Sequence, residues 1–553
     1  MAYTTPNTTR RQALKALGAA SALSVTGCCG LAPRQLPDSA SERMHPSPFL
    51  LRPELRQLRT AATPVLDVHT HFFNAADVPV RAFLQKSVGH DQSYSLQLLL
   101  TLFAPAIEAV AKDLAPSAAE EWRTLQRMQQ RFASMTPAAV SATLDDEAIK
   151  RASVVGTALY RELKRSAPDG IALFNSLTLG AERTSGRTGV GVDPLSEELL
   201  IRIIAESHDA IATEDSARTS DPAFNARRAR AQGLRGLLEF AGFMLSPRYQ
   251  NLNAYMKVYG AHSGSLQLAG CYASIVDFNY WLDCPAVSTH LHDQVILHAE
   301  LSKLSGGFLK PLVGYNPWVD IKENDASLKL LDIAVHQYGF VGAKIYPPMG
   351  FLPYGNAEAG PIESREKRPD QQTLDRKLLA FFSYCAQRGI PVMAHANHSM
   401  GRDLAHDALA GPAGWHKLRS ALATHQSTGK LKPLRINAGH FSGESIGDWT
   451  RGFVELAEQC DGTLDLYGDT GYWEGLLMDD AVSDHLVSLL SAASNGTCRV
   501  SEKMMFGSDW LMVSQVAGWK SYLAAFDTAL DQRVSESARQ AFFNGNARRF
   551  FRP

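Results

Sequence analysis

Cysteine is scarce in this sequence, and the few cysteines are scattered. The chain has seven cysteines in 553 residues, and apart from the adjacent pair Cys28 and Cys29 they lie far apart, with no C-x-x-C spacing. A zinc site built from thiolates needs paired cysteines, and a disulfide-rich scaffold needs a dense set of them. The sequence therefore indicates neither.

Neither sign of charge is in excess. The chain carries 55 basic and 56 acidic residues, a net charge of −1, and its densest basic stretch is RRARAQGLRG at 227–236. Such a run is more typical of a solvated helix face than of a nucleic-acid surface, so we expect no nucleic-acid partner. With 45% hydrophobic and 20% charged residues the composition is globular. A chain of more than about 300 residues is divided into domains or is one barrel with insertions.

The N-terminus lacks an apolar run long enough to cross a membrane. Arg10 and Arg11 precede a short Ala-rich stretch that ends near Gly27, whereas a spanning helix needs about 20 apolar residues. The pattern predicts a signal peptide over 1–27; a disordered tail with a chance arginine pair is the alternative. TTRRQALK resembles a twin-arginine export signal, and VTGC, which ends at Cys28, resembles a lipoprotein cleavage site.

These resemblances imply a location outside the cytoplasm. We expect export to the periplasm or the cell envelope, with a lipid on Cys28 as the membrane attachment. Residues 28–62 are rich in Pro and Ser and are predicted to form a linker.

Short apolar runs alternate with helical patterns from about residue 265 onward. The helical stretches ASLKLLDIAVHQYG and LDRKLLAFFSYCAQRG each end in Gly, a common helix stop. With one run near the N-terminus the apolar runs are PVLDVHTH (64–71), YASIVDF (272–278), GFLKPLVGY (307–315), FVGAKIY (340–346), GIPVMAHA (389–396), LRINAGH (434–440), LDLYGDT (464–470) and MMFGSDW (504–510). Eight strands that alternate with helices predict an α/β fold, a (β/α)8 TIM barrel, over residues 63–553.

Residues 77–264 contain no convincing strand pattern. Stretches such as SYSLQLLLTLFAPAIEAVAKDL and SEELLIRIIAESHDAIAT have the i, i+3, i+4 apolar spacing of amphipathic helices. We interpret this segment as a large helical insertion after strand 1, on the catalytic face, where it shapes the pocket. A separate helical domain with a purely structural role is the alternative.

Histidines and an aspartate recur at the ends of the predicted strands. His69 and His71 end the first run, and because side chains i and i+2 of a strand point the same way, both imidazoles can bind one metal ion. His395, His440 and Asp509 lie at the ends of three later runs, where barrels carry catalytic groups. Each alone has an ordinary explanation, a loop histidine or a helix cap, but the recurrence predicts a metal centre. Ligands without thiolates suit Zn, Mn, Fe or Ni.

The motifs around these residues resemble those of the amidohydrolase superfamily, specifically the amidohydrolase-related branch of metal-dependent hydrolases and aminocarboxymuconate-semialdehyde-type decarboxylases. The resemblance covers roughly 63–76 and 265–553 and rests on LDVHTHFF, GAKIYPP, PVMAHA, RINAGHFSG, LYGDTGYW, MFGSDWLM and NGNARRFF. It implies that His69, His71, His395 and Asp509 hold a divalent metal, with zinc as the first expectation. It also implies that His440 is a second-metal ligand or a proton-handling residue, and that the substrate is a small molecule.

Lys344 ends the fourth strand and has three open roles. In dimetal relatives such as dihydroorotases, a lysine in a similar setting is carbamylated and bridges two metals. Burial lowers the pKa of a lysine, and the neutral amine can then react with carbon dioxide. In one-metal relatives the residue at this place binds substrate or packs in a structural ion pair. Whether the site holds one ion or two depends on which role applies.

The resemblance implies a hydrolase in which a metal-activated water cleaves an amide, ester or lactone-like bond. Asp509 would take the proton of the water and pass it to the leaving group, while the metal and His440 would polarise the carbonyl. Asp469 is a candidate orienting group or a turn residue, and Tyr346 and Trp473 contact substrate or pack. Non-oxidative decarboxylation on the same scaffold is the alternative reaction.

Two other classes of function are less favoured. GESIG (443–447) matches G-x-S-x-G around Ser445, but the strand ends at His440 rather than at the serine, and the only later histidine, His485, lies in a predicted helix. The sequence therefore gives little support for a serine hydrolase. A non-enzymatic, membrane-tethered binding protein would keep the barrel and lose the metal, although every expected ligand position is filled.

Overall fold

The computed structural model describes residues 51–552 except 54–58, 60–61, 90–91, 183–193, 211–221, 262–264, 283–286, 288, 361–369, 427–431, 445–446 and 494–495. The predicted signal peptide, the predicted lipidation site Cys28 and Ser445 lie outside the described residues.

Eight parallel strands form one sheet in sequence order. They are β1 (Thr63–Thr70), β2 (Leu266–Ser274), β3 (Leu309–Gly314), β4 (Gly342–Ile345), β5 (Val392–His395), β6 (Leu434–Gly439), β7 (Leu464–Asp469) and β8 (Met504–Met505). The sheet closes where Thr70 pairs with Trp510 and where the Val68 amide donates to the Phe506 carbonyl at 3.0 Å. The predicted (β/α)8 barrel is confirmed.

Two strands, β2 and β8, differ most clearly in extent from their apolar runs. β2 begins at Leu266 rather than Tyr272, because Leu266 to Leu268 pair with β1 from Thr63 onward; Gln267 and Gly270 weaken the apolar pattern there. β8 is only two residues long. The rest of MMFGSDW continues as irregular backbone, and this places Asp509 in a loop at the strand end.

Helices of nine or more residues are numbered here in chain order. Among the described residues they are α1 (Tyr94–Leu114), α2 (Ala118–Phe132), α3 (Pro137–Ser166), α4 (Pro168–Glu182), α5 (Glu197–Ser207), α6 (Pro222–Met244), α7 (Arg248–Ala261), α8 (Leu291–Leu304), α9 (Ala326–Tyr338), α10 (Gln371–Arg388), α11 (Ala413–Gln426), α12 (Asp448–Glu458), α13 (Asp480–Ser491) and α14 (Tyr522–Leu530). Helices α1 to α7 lie between β1 and β2, so the large helical insertion after strand 1 is confirmed as part of the fold. Gly339 and Gly389 follow α9 and α10 with φ of 71° and 67°, a left-handed conformation that glycine adopts without strain.

Helix α1 is the most apolar helix of the insertion. By length and composition alone it could cross a membrane, although 44% of its most apolar window is buried inside the protein. Leu99, Phe103 and Ile107 are among its buried residues, and their spacing gives the helix one core-facing side. A core helix passes the same test of length and composition.

A disulfide joins Cys460 and Cys498, whose Cα atoms lie 5.9 Å apart. Cys271 and Cys385 are buried free thiols. The two bonded cysteines are separated by 38 residues, and no spacing pattern in the sequence marks them as partners.

Candidate metal centre

The C-terminal ends of the barrel strands bring the predicted site residues to one place. His69 is the second-last residue of β1, and His395 is the last residue of β5. Lys344 lies in β4, and His440 directly follows β6. All of them are buried. They line one open cavity of about 630 Å³, a volume that includes space open to solvent. The predicted site residues in its lining are His69, His71, Lys344, His395, His440 and Asp509.

The closest part of this cluster consists of three residues. Ligand atoms of His69, His440 and Asp509 all lie within 4.8 Å of one another. The two other predicted ligands flank this group: His71 Nε2 is 3.4 Å from Asp509 Oδ1, and His395 Nδ1 is 3.0 Å from His440 Nε2. The sequence therefore named the residues that meet, but it did not foresee that His440 lies nearer the middle than His71 and His395.

Each of the four histidines holds one ring nitrogen on an acceptor outside the cluster. The pairs are His69 Nδ1 with Asp469 Oδ1 at 3.0 Å, His71 Nδ1 with the Ser274 carbonyl at 2.8 Å, His440 Nδ1 with the Gly471 carbonyl at 2.7 Å and His395 Nε2 with the Ser399 carbonyl at 3.0 Å. Because these partners only accept, the outer nitrogens carry the protons, and the inner nitrogens of the neutral rings are left with lone pairs. Outer contacts of this kind fix the orientation of metal-binding histidines.

The inner atoms of the cluster are acceptors that face acceptors. His395 Nδ1 faces His440 Nε2, and Asp509 Oδ1 lies 3.4 Å from His71 Nε2 and 3.6 Å from His69 Nε2. Such approaches are repulsive unless a proton or a cation lies between the atoms. This donor set fits a divalent cation with imidazole and carboxylate ligands.

Burial sets the protonation of the histidines. It lowers the pKa of His69, His71 and His395 well below the usual value, and that of His440 to about 4. The nearby Lys344 adds to these shifts. The rings are therefore neutral at physiological pH, which is the form that binds a metal. Burial also raises the pKa of Asp509 well above its usual range, with Lys344 opposing the shift.

Lys344 has the setting of a reactive or substrate-facing amine. Its Nζ lies 3.3 Å from His69 Nε2, and among the described residues it contacts no carboxylate. Burial lowers its pKa to about 8, against the opposing charges of Asp509 and Asp469. A structural ion pair is therefore not supported, whereas the carbamate and the substrate-binding cation both remain open.

Close backbone approaches explain the glycines next to the site. A Cβ on Gly471 would lie 2.6 Å from His69 Nδ1, and one on Gly507 would lie 2.8 Å from His69 Cβ. The His69 side chain therefore requires glycine in the segments that follow β7 and β8. His440 and Asp509 themselves have left-handed backbones, with φ of 68° and 56°. Such conformations cost of order 1 kcal/mol each and cluster at functional sites.

Asp469 is an orienting group. Its Oδ1 accepts from His69 Nδ1, from the His440 amide at 3.0 Å and from the Gly471 amide at 2.8 Å, while Oδ2 accepts from Asn437 at 2.7 Å. One buried carboxylate therefore holds two of the candidate ligands. Its position at the end of β7 was visible in the sequence, although its partners were not.

Asp67 was missed by the sequence reasoning. Its carboxylate accepts from the His69 amide at 3.1 Å, the Ser508 amide at 3.0 Å and the Tyr255 hydroxyl at 2.7 Å. Burial raises its pKa to about 7. The signal was available, because Asp67, His69 and His71 share the i, i+2 spacing of one strand face.

The contacts bear on two of the sequence-based roles. Trp473 is fully buried and is not among the residues that line the cavity. Its Nε1 donates to the His440 carbonyl at 2.9 Å, so of its two expected roles the contacts favour packing beside the histidine. The His440 Nδ1 lies against the Gly471 carbonyl, which leaves a lone pair on Nε2 of the neutral ring; this favours metal ligation by His440 over donation to a carbonyl. Tyr346 does line the cavity, with its ring 4.7 Å from that of His395.

Replacing Asp469 by Asn is expected to weaken metal binding about 10- to 100-fold. The amide would lose the charge that holds the His69 N–H and would set an NH2 group against a neighbouring donor. Competition with a chromophoric chelator measures the affinity. Asp465→Asn, a carboxylate on the same strand that pairs with Lys503, is the control and should leave affinity unchanged. Equal affinities for both variants would show that Asp469 does not position a ligand.

Comparison with known proteins gives one family match. Residues 309–552, from β3 to the C-terminal residues, match the amidohydrolase family. No curated protein matches the chain.

Solved structures with a similar fold are distant. A 2,6-dihydroxybenzoate decarboxylase from Rhizobium is 13% identical, with a TM-score of 0.35 over 54% of this chain and 87% of its own. An amidohydrolase from Burkholderia multivorans with bound zinc is 12% identical, with a TM-score of 0.31 over 54% and 87%. A 5-carboxyvanillate decarboxylase from Novosphingobium aromaticivorans with bound manganese is 12% identical, with a TM-score of 0.34 over 64% and 93%.

Proposed function

We propose that this chain is a metal-dependent enzyme of the amidohydrolase superfamily that hydrolyses an amide, ester or lactone-like bond of a small molecule. The observation that carries the proposal is a buried cluster of four oriented, neutral histidines beside Asp509. His69, His440 and Asp509 form its closest group, His71 lies next to Asp509, and His395 lies next to His440. The family match over residues 309–552 supports it.

The proposed ligands are His69, His71, His395 and Asp509, joined by His440. Zinc is the first expectation for this donor set. A divalent ion supplies Lewis acidity toward a water molecule and toward the scissile carbonyl. A second ion requires a carbamate on Lys344 as a further ligand.

Asp509 is the proposed proton carrier. Its Oδ1 lies 3.6 Å from His69 Nε2 and 3.4 Å from His71 Nε2, so it would be close to a water molecule held at these residues. It accepts the proton of the attacking water and returns it to the leaving group as the bond breaks. Lys344, when it is not carbamylated, is the proton-bearing group at the site and donates to the oxygen on which charge develops.

The proposed location is the periplasm or the cell envelope, with Cys28 as a lipid attachment point. The disulfide between Cys460 and Cys498 supports export, because structural disulfides persist in oxidising compartments.

Metal analysis of the purified protein is the first test. We expect one or two equivalents of divalent metal per chain, lost on chelation together with the activity and restored on adding zinc back. His71→Ala should lower the content, whereas His292→Ala, a histidine outside the cavity lining, should not. Substoichiometric metal after purification in zinc-containing buffer would contradict the proposal and favour a non-enzymatic binding protein. Two equivalents would assign Lys344 as a carbamate.

Isotope labelling separates hydrolysis from decarboxylation on any substrate found by screening esters, lactones, amides and carboxylic acids. In ¹⁸O water, hydrolysis places the label in the product acid. Decarboxylation leaves the product unlabelled and releases carbon dioxide. Release of carbon dioxide without label would replace the proposed reaction and keep the proposed metal centre.

A further inference from the structure

A continuous series of ring contacts leads from the helical insertion to the metal centre. Phe83 contacts Phe278 with ring centroids 5.6 Å apart, Phe278 stacks on Trp281 at 5.1 Å, and Trp281 contacts Tyr346 at 5.2 Å. Tyr346 in turn contacts His395. The four rings Phe83, Phe278, Trp281 and Tyr346 all line the cavity, and we call them the aromatic wall.

The far end of the aromatic wall comes from the helical insertion. Phe83 begins a short helical segment, Phe83–Val88, which continues from the helical turn Val80–Ala82 after the β1 loop. Ser87 in this segment donates to the Met400 carbonyl at 2.8 Å, and Met400 lines the cavity from the loop after β5. The start of the insertion is therefore fixed to both sides of the cavity, so Phe83 is held at its wall.

Among the described lining residues, the charged groups not paired with an oppositely charged side chain outside the cavity are those of the metal centre. The described lining residues include no arginine. The cationic side chain among them is that of Lys344, which lies next to His69. The carboxylate of Asp77 also lines the cavity, but Arg248 binds both of its oxygens. A substrate with a charged body would therefore find no partner along the aromatic wall, and burying that charge would be costly.

We propose that the substrate has a flat, uncharged aromatic body that stacks along the aromatic wall and directs its reactive carbonyl group at the metal centre. In this arrangement Phe83 makes the insertion the element that determines substrate shape. Offset and edge-to-face ring contacts favour a planar partner over an aliphatic one of similar size. The inference rests on the proposed function, because it requires the metal end to hold the carbonyl.

Hydroxamates test the inference by binding alone, since they chelate zinc through one end and differ in the body. The zinc-loaded protein is titrated calorimetrically with benzohydroxamate, cyclohexanecarbohydroxamate and acetohydroxamate. We expect benzohydroxamate to bind about tenfold more tightly than the cyclohexane compound, which has a similar size but is not flat. Phe83→Leu should weaken benzohydroxamate about tenfold and leave acetohydroxamate unchanged.

Two further variants keep this test decisive. Phe278→Leu alters a partly exposed ring of the same wall and should act like Phe83→Leu even if the latter fails to fold. Phe382→Leu removes a fully buried ring outside the cavity lining and should change no affinity. Equal binding of benzohydroxamate and cyclohexanecarbohydroxamate by the zinc-loaded protein would overturn the role of the aromatic wall and would leave the proposed metal centre unaffected. A protein that holds no zinc would instead fail the proposed function itself.

Discussion

Asp509→Asn is expected to lower kcat roughly 10³-fold, the usual contribution of a general acid–base group. Asparagine keeps the shape of the side chain and one oxygen near His69 and His71, but it cannot take a proton from the attacking water. Because four imidazoles converge on the site, metal should still bind, with reduced affinity. The measurement is steady-state hydrolysis at saturating metal, with metal content determined on the same sample.

Its control is Asp531→Asn, an exposed aspartate directly after α14, which should keep full activity. Unchanged hydrolysis by the metal-loaded Asp509→Asn protein would remove Asp509 from the chemistry. A variant that holds no metal at all, even at saturating zinc, would instead make Asp509 an indispensable ligand.

The site residues that could be predicted from the sequence are those at the ends of the apolar strand runs. His69 and His395 could be placed because an apolar run and the polar residue at its end are local features, and the barrel closes all such ends into one ring. How close each ligand lies to the middle of the site could not be predicted in this way, because it does not depend on local sequence alone. His440 reaches the middle because its backbone turns left-handed directly after β6, and no periodicity in the sequence encodes that turn.

The contacts between the insertion and the site could not be predicted from the sequence. The amphipathic pattern predicted helices between β1 and β2, and they are there. That Tyr255 of α7 donates to Asp67 and that Phe83 enters the cavity wall depends on how distant elements pack. Propensity and spacing carry no information about such pairs. For the same reason Trp473, an aromatic residue near a strand end, could not be assigned to packing or to substrate contact before its partner was known.

The site has an inner layer of ligand atoms and an outer layer of groups that orient the histidine rings. The inner layer concentrates acceptors, which raises the energy of the metal-free site, whereas Asp469 and the outer carbonyls hold each ring in place. A cation that binds this folded arrangement and not the unfolded chain stabilises the fold in proportion to its affinity. We therefore expect the proposed metal to couple metal content to folding stability, so stability is to be compared at fixed metal occupancy.

Arg248→Met is expected to lower the free energy of unfolding by about 3–5 kcal/mol at fixed zinc occupancy, because it leaves two buried carboxylates without their cation. Arg248 is fully buried at the start of α7; it binds Asp77 through Nε and Nη2 at 2.7 and 2.5 Å and Glu121 through Nη1 at 2.9 Å. These bonds tie α7 and α2 to the loop after β1, which lines the cavity. Urea unfolding followed by circular dichroism measures the change.

Neutralising the partners separates the loss of charge pairing from the loss of packing. The triple variant Arg248→Met, Asp77→Asn, Glu121→Gln should recover a large part of the stability, since no buried charge then lacks a partner. Arg165→Met, which removes an exposed partner of Glu162 on α3, should have no measurable effect. If the triple variant is as unstable as Arg248→Met alone, the guanidinium acts through its shape and hydrogen bonds, and the charge of the network does not hold the insertion against the barrel.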